Sequence, residues 1–214
     1  MRAAVGTSGV TTLSTPSIAG VMGMISALLL GAVMVLVRVA IPAASTSADW
    51  VTDASSREAV AAALSLVPFV GIFFLWFMGA VRDYFGEGRN SFFDTLFLGA
   101  GLLFVALLFV ISAATYGLLT SADASQNSSQ VEHWRQLVLT LLSGYSTRMA
   151  AVLTLSATTI GRGLGIFPRW LVWLGYLVAL TLFFVNVPWS ELVFPVWVFV
   201  LSGHIFLTRQ HRSA

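Results

Sequence analysis

The chain has 214 residues, 57% hydrophobic and 9% charged, against roughly 25% charged in ordinary soluble domains, so its main solvent is lipid. Cys is absent, which excludes disulfides, thiolate metal sites and redox thiols. All basic residues are Arg, so no Schiff-base lysine exists, and a net charge of +2 without a basic run gives no footing for nucleic acid.

Residues 1–17 are small and polar and read as a short disordered N-terminal tail. The apolar run that starts at Ile18 lasts about 24 residues, longer than the roughly 7–15 of a cleaved signal, so it is kept as a membrane helix. Six stretches approach the roughly 20 apolar residues that a crossing needs: about 18–41, 59–81, 93–119, 134–160, 170–187 and 191–208. The breaks between them are polar or rich in Gly and Pro: PAASTSADWVTDASSRE, RDYFGEGRNS, TSADASQNSSQVEH, GRGLGIFPR and NVPWSE. The reading is an all-α, polytopic transmembrane bundle of six helices over 18–208, with 209–214 as a cytoplasmic C-terminal tail.

Orientation rests on the arginines. With a cytoplasmic N-terminus, Arg2, Arg82, Arg89, Arg162, Arg169, Arg209 and Arg212 fall on the cytoplasmic side and only Arg57 and Arg135 opposite. The positive-inside rule therefore puts both termini in the cytoplasm. Trp50, Trp134, Trp170 and Trp189 fall near helix ends, where an amphipathic ring prefers to sit.

Most acids open helices. SSRE at 55–58, SFFD at 91–94 and SQVE at 129–132 have capping-box spacing, with Glu58, Asp94 and Glu132 three residues after a Ser. STPS at 14–17 reads as a cap with a first-turn proline. Small residues recur every four positions at Gly23, Ala27 and Gly31, and in shorter form at Ala113 and Gly117 and at Gly175 and Ala179. Such rows let helix backbones approach in lipid, within one chain or across a homo-oligomer or membrane-protein partner. Pro68 and Pro195 read as interior kinks in the outer half of their helices, a hint of an outward-facing crevice.

Arg148 is the residue that asks for a job. Counted from Gln136 it lies about 18 Å along the fourth helix, near the middle of a core roughly 30 Å thick. Thr140, Ser143, Thr147, Thr154 and Thr158 share one helical face beside it, Gly144 and Ala151 keep that face small, and Tyr145 flanks it. The fourth helix reads as the central one. A charge at that depth costs about 2.5–3.5 kcal/mol on insertion scales and must be offset by carbonyls and hydroxyls, by water, or by an anionic ligand. Arg38, three residues before the end of the first span, reads as snorkelling to water without a function.

The candidate ligand-binding set is therefore Arg148, Tyr145, Thr147, Ser143 and Thr140, with Tyr116 and Asn186 as polar groups near outer ends. His133, His204 and His211 lie too far apart to share a metal or haem, LSGY and LSGH do not fit a hydrolase elbow, and GRGLG at 161–165 lacks the strand context of a nucleotide loop. No catalytic residue, metal or cofactor is assigned, and an enzyme is not expected.

The segments GIFPRWLVWLGYLVAL (165–180) and FFLWFMGAVRDYFGEGRNSFFDTLFLGAGLLF (73–104) resemble features of uncharacterised small polytopic bacterial membrane proteins of unknown function. The likeness touches about a quarter of the chain and implies a multi-pass protein of a bacterial cytoplasmic membrane, with no activity attached. The expectation is binding or transport of a small anionic solute or lipid headgroup in an intramembrane crevice at Arg148. The alternative is a non-catalytic scaffold or accessory subunit that uses the small-residue faces.

Overall fold

The computed structural model describes residues 15–41, 53–86, 90–124, 128–185 and 187–210. Every described segment of regular structure is helical: α1 (Thr15–Ala40), α2 (Ala54–Phe85), α3 (Ser91–Ala124), α4 (Ser128–Thr140), a π-helical turn (Leu141–Ser146), α5 (Thr147–Gly163), α6 (Arg169–Phe184), a 3₁₀ turn (Ser190–Leu192) and α7 (Val193–Gln210). Five stretches are long and apolar enough to cross a membrane: Gly20–Ala40, Ala54–Phe85, Ser91–Thr120, Ser129–Gly163 and Ser190–Thr208. The remaining apolar helix, α6, has 16 residues.

The helices close into a ring in the order α1, α2, α3, α5, α6, α7 and back to α1. The fourth pass sits between α3 and α6 and is no more enclosed than α1 or α7, so the expected central helix is replaced by a ring whose middle is filled with side chains. Phe74 of α2, Phe104 of α3 and Phe194 of α7 meet there with ring centroids 5.0 to 6.0 Å apart, and Trp197 stacks on Phe194. All four are essentially inaccessible. Phe85, Phe97 and Phe167 make a second aromatic contact set at the end of the ring that carries Arg82, Arg162 and Arg169, hereafter the basal end.

Close approach explains the small residues. A Cβ on Gly23 would sit 2.0 Å from Ser202 Oγ of α7 and 2.5 Å from the Phe77 ring of α2, so Gly23 is where three helices meet. Gly175 meets Thr158 in the same way, and Gly117 receives the Trp134 ring of α4. Gly23 is thus spent on packing inside the chain, while Gly31 has only Pro195 Cβ, 3.9 Å away.

The predicted capping boxes are corrected. Asp53, not Ser55, caps α2, accepting from the Ser56 amide at 3.0 Å. Glu58 lies exposed one turn on. Asn90 caps α3 through its side-chain oxygen and the Phe92 amide, at 2.9 Å. That frees Asp94 to take Arg82 of α2 in a bidentate pair, with Nη2 to Oδ2 at 2.9 Å. Glu132 turns along its own helix to Arg135 and Gln136. For Asp94 and Glu132 a longer-reaching side-chain donor takes the carboxylate. Pro195 is corrected as well: as the third residue of α7 it occupies a first turn, where a missing N–H costs nothing. Pro68 is interior to α2. The tail at 1–14 and the predicted cap at 14–17 lie outside the described side chains.

Two outcomes follow from this packing. Gly23→Ala lowers thermal stability in detergent by about 1–3 kcal/mol through overpacking, whereas Gly99→Ala, with open space around it, leaves it unchanged. Hydrogen bonds from the Ser55 hydroxyl and the Ser56 amide hold the Asp53 carboxyl below its usual range. Asp53→Ala therefore lowers stability at neutral pH by removing the N-cap of α2. The gap between wild type and variant closes as pH falls through that lowered value, read by thermal melts across pH.

Candidate functional site: a polar crevice at the apical end

At the end opposite the basal arginines, the chain assembles a crevice of about 560 Å³ lined by Arg38, Leu139, Thr140, Ser143, Gly144, Tyr145, Arg148, Val187 and Pro188. The crevice is built by the last turn of α1, by the π-helical turn together with the end of α4 and the start of α5 that flank it, and by the loop between α6 and α7.

The π turn is the local cause. Leu141–Ser146 winds with one extra residue per turn, which widens the backbone ladder and leaves carbonyls open to side chains. Thr147 Oγ1 donates to Ser143 O at 2.5 Å and to Gly144 O at 3.2 Å, and Ser146 Oγ donates to Leu142 O at 2.6 Å. Arg148 Nη1 donates back to Gly144 O at 2.5 Å. The extra residue also rotates the hydroxyl stripe. Ser143 turns toward Arg38, Thr147 is buried against its own backbone, Thr154 is buried, and Thr158 packs on Gly175 of α6.

Arg148 is corrected in depth. It lies fifteen residues before Gly163, about 22 Å from the basal end of α5, and α6 spans the same number of steps from Arg169 to Phe184. Arg148 is therefore level with the apical end of α6, and its side chain runs toward the helix N-terminus, further from the middle. It is exposed, with no ion pair among the described residues.

Arg38 is the larger correction. Read from the sequence as an idle snorkelling group, it is the buried cation: its side chain is 6% exposed and that of Glu191 1%. Arg38 Nε pairs with Glu191 Oε1, and Nη2 donates to Ser143 Oγ at 2.6 Å. One guanidinium thus ties α1, the 3₁₀ turn before α7 and the π turn together. The loop before α7 aims the acid inward. Trp189 sits at φ 75°, a left-handed conformation that costs a bulky residue about 1 kcal/mol or more. Ser190 N donates to Val187 O at 3.0 Å and Leu192 N to Trp189 O at 3.1 Å. Glu191 Oε2 is buried with no hydrogen-bond partner among the described residues.

Of the residues singled out in the sequence, Thr140, Ser143, Tyr145 and Arg148 come together in the crevice. Thr147 lies just beneath, committed to backbone carbonyls, and Tyr116 is exposed on α3 without lining it. Asn186 lies outside the described residues. Missed were Arg38, Glu191, Val187 and Pro188. A signal did exist for the pair, because Arg38 ends the first span and Glu191 begins the last, which places opposite charges at one height.

The geometry supplies converging donors with little acceptor charge. Glu191 neutralises Arg38, whereas Arg148 keeps four guanidinium N–H groups beyond the one on Gly144. Ser143 Oγ accepts from Arg38, which leaves its own proton to point into the crevice. Thr140 and Tyr145 add hydroxyls at the wall. This is the chemistry of an anion site. Comparison with family models, with characterised proteins and with solved structures finds no match.

Removing either member of the Arg38–Glu191 pair strands a buried charge, so Arg38→Met or Glu191→Leu alone lowers stability by about 3–5 kcal/mol. The double variant recovers most of the loss. Thermal melts of the three variants in one detergent measure the coupling, and additive losses would show that the pair is not formed.

Proposed function

We propose that the chain is a six-crossing membrane protein with both termini cytoplasmic, and that it binds a small anionic solute or lipid headgroup in the apical crevice with Arg148 as counter-charge. The orientation rests on the arginines of the connections, with Arg82, Arg162 and Arg169 at the basal end against Arg57 and Arg135 at the apical end; Arg38 and Arg148 are also apical, the first neutralised by Glu191. At about 24 Å, α6 is short for a crossing but serves where flanking turns and local thinning of the bilayer fill the difference. Arg148 then stands near the outer headgroup layer, where its charge is affordable. The single observation that carries the reading is a guanidinium without a carboxylate, facing a crevice of hydroxyls on a π turn.

The aromatic filling of the ring favours binding at the apical surface over permeation through its middle. Because the Arg148–Gly144 bond is local to one helix, the fold does not depend on it. Arg148→Met therefore keeps helicity and melting temperature, and lowers affinity for inorganic phosphate or glycerol phosphate about tenfold or more. Titration calorimetry of protein in phosphatidylcholine nanodiscs measures it. Wild-type affinity in the variant would remove the crevice reading, and collapse of the variant in detergent would make Arg148 structural.

A scaffold is the second reading. It is supported by an apolar groove of about 410 Å³ on α1 and α7 beside Gly31, Ala32, Pro195 and Phe199, where a further helix would fit. Gly31→Leu fills that groove, and reduced association with unchanged anion binding would favour this reading.

A further inference from the structure

A second basic pocket lies at the basal end, about 580 Å³ in volume and lined by Arg162, Phe167, Arg169, Val172, Trp173 and Tyr176. The turn between α5 and α6 is fixed by its own hydrogen bonds. Gly161 O accepts from Ile166 N at 3.1 Å and from Phe167 N at 3.4 Å, Gly165 adopts φ 66°, and the Phe167 ring lies against Gly161. That rigid turn presents Arg162 and Arg169 on either side of one opening. Both are exposed, and neither carries an ion pair among the described residues.

From Arg169 the pocket continues along one face of α6 at the spacing of successive helical turns: Arg169, Val172, Trp173 and Tyr176. The face runs about 10 Å from the two charges toward the middle of the bundle. Trp173 is 75% exposed along it, and the Tyr176 hydroxyl lies 3.5 Å from Thr159 Oγ1 at its far end. Two cations at a helix end above an apolar, aromatic wall match a phosphodiester followed by an acyl chain, and basic pockets between helices on this side of a membrane favour anionic headgroups. A soluble anion would use the cations and leave the wall empty. A zwitterionic lipid would bring its own positive charge to two guanidiniums.

We propose that this pocket is a binding site for an anionic phospholipid of the cytoplasmic leaflet, with its phosphate between Arg162 and Arg169 and its chain along Val172, Trp173 and Tyr176. It rests on the membrane-spanning reading above but not on the apical anion crevice.

The test is native mass spectrometry of the full chain released from nanodiscs of equimolar phosphatidylglycerol and phosphatidylcholine. Two charge contacts give an expected preference for retained phosphatidylglycerol of about thirtyfold, falling to near parity in R162Q/R169Q and largely kept in R162K/R169K. Circular dichroism checks that the variants stay folded. No preference in the wild type, or the same preference in the Gln variant, would overturn the proposal. So would full displacement of the lipid by millimolar inorganic phosphate, which would mark a free-anion site. Protein that stays in nanodiscs without lipid preference refutes this site alone, whereas protein recovered only in the aqueous phase refutes the membrane reading with it.

Discussion

Arg38 reaches across the apical end of the ring to Glu191 in the 3₁₀ turn before α7 and to Ser143 of the fourth pass, and the rest of that end is arranged around it. Two charges this deeply buried are tolerated only in each other's company, and here one carboxylate oxygen of Glu191 takes the guanidinium while the other has no hydrogen-bond partner among the described residues. Glu191 is aimed inward by a loop that forces Trp189 into a left-handed conformation. Ser143 is brought within reach by a π turn that adds one residue to the helix. The irregular turn and the buried pair therefore meet at one guanidinium.

The same π turn makes the crevice. By widening the ladder it offers Gly144 O to Arg148 and lets that guanidinium fold back along its own helix, away from the middle of the bundle. The two arginines thereby take different states on one wall, Arg38 neutralised and rigid, Arg148 unpaired and exposed. Beneath them the ring is closed by Phe74, Phe104, Phe194 and Trp197. A polar surface site above a solid aromatic core suits recognition at an interface better than a pore.

The basal end follows a different logic. There Arg82 is held by Asp94, while Arg162 and Arg169 are set apart by a hydrogen-bonded turn and left open. The contrast between paired and unpaired cations is what makes the pocket beside α6 informative, since a charge with no protein partner has to be met by water or by a ligand.

The sequence by itself determined that the chain is helical and apolar throughout, where its helices break, and that Thr140, Ser143, Tyr145 and Arg148 form one patch, because lipid imposes long apolar runs and neighbours on a helix are also neighbours in sequence. It misplaced Arg148 because depth counted along one helix ignores how far that helix overhangs the others, and only the packed ring sets α5 level with the end of α6. It passed over Arg38 and Glu191 because their contact joins residues 153 positions apart. It assigned Glu58, Asp94 and Glu132 to local caps, although Arg82 and Arg135 were better donors within reach of the last two. What only the tertiary structure decided is which charges are paired and which are left over. Pairing depends on distance through space, and in this fold the spare cations, not the paired ones, carry the candidate sites.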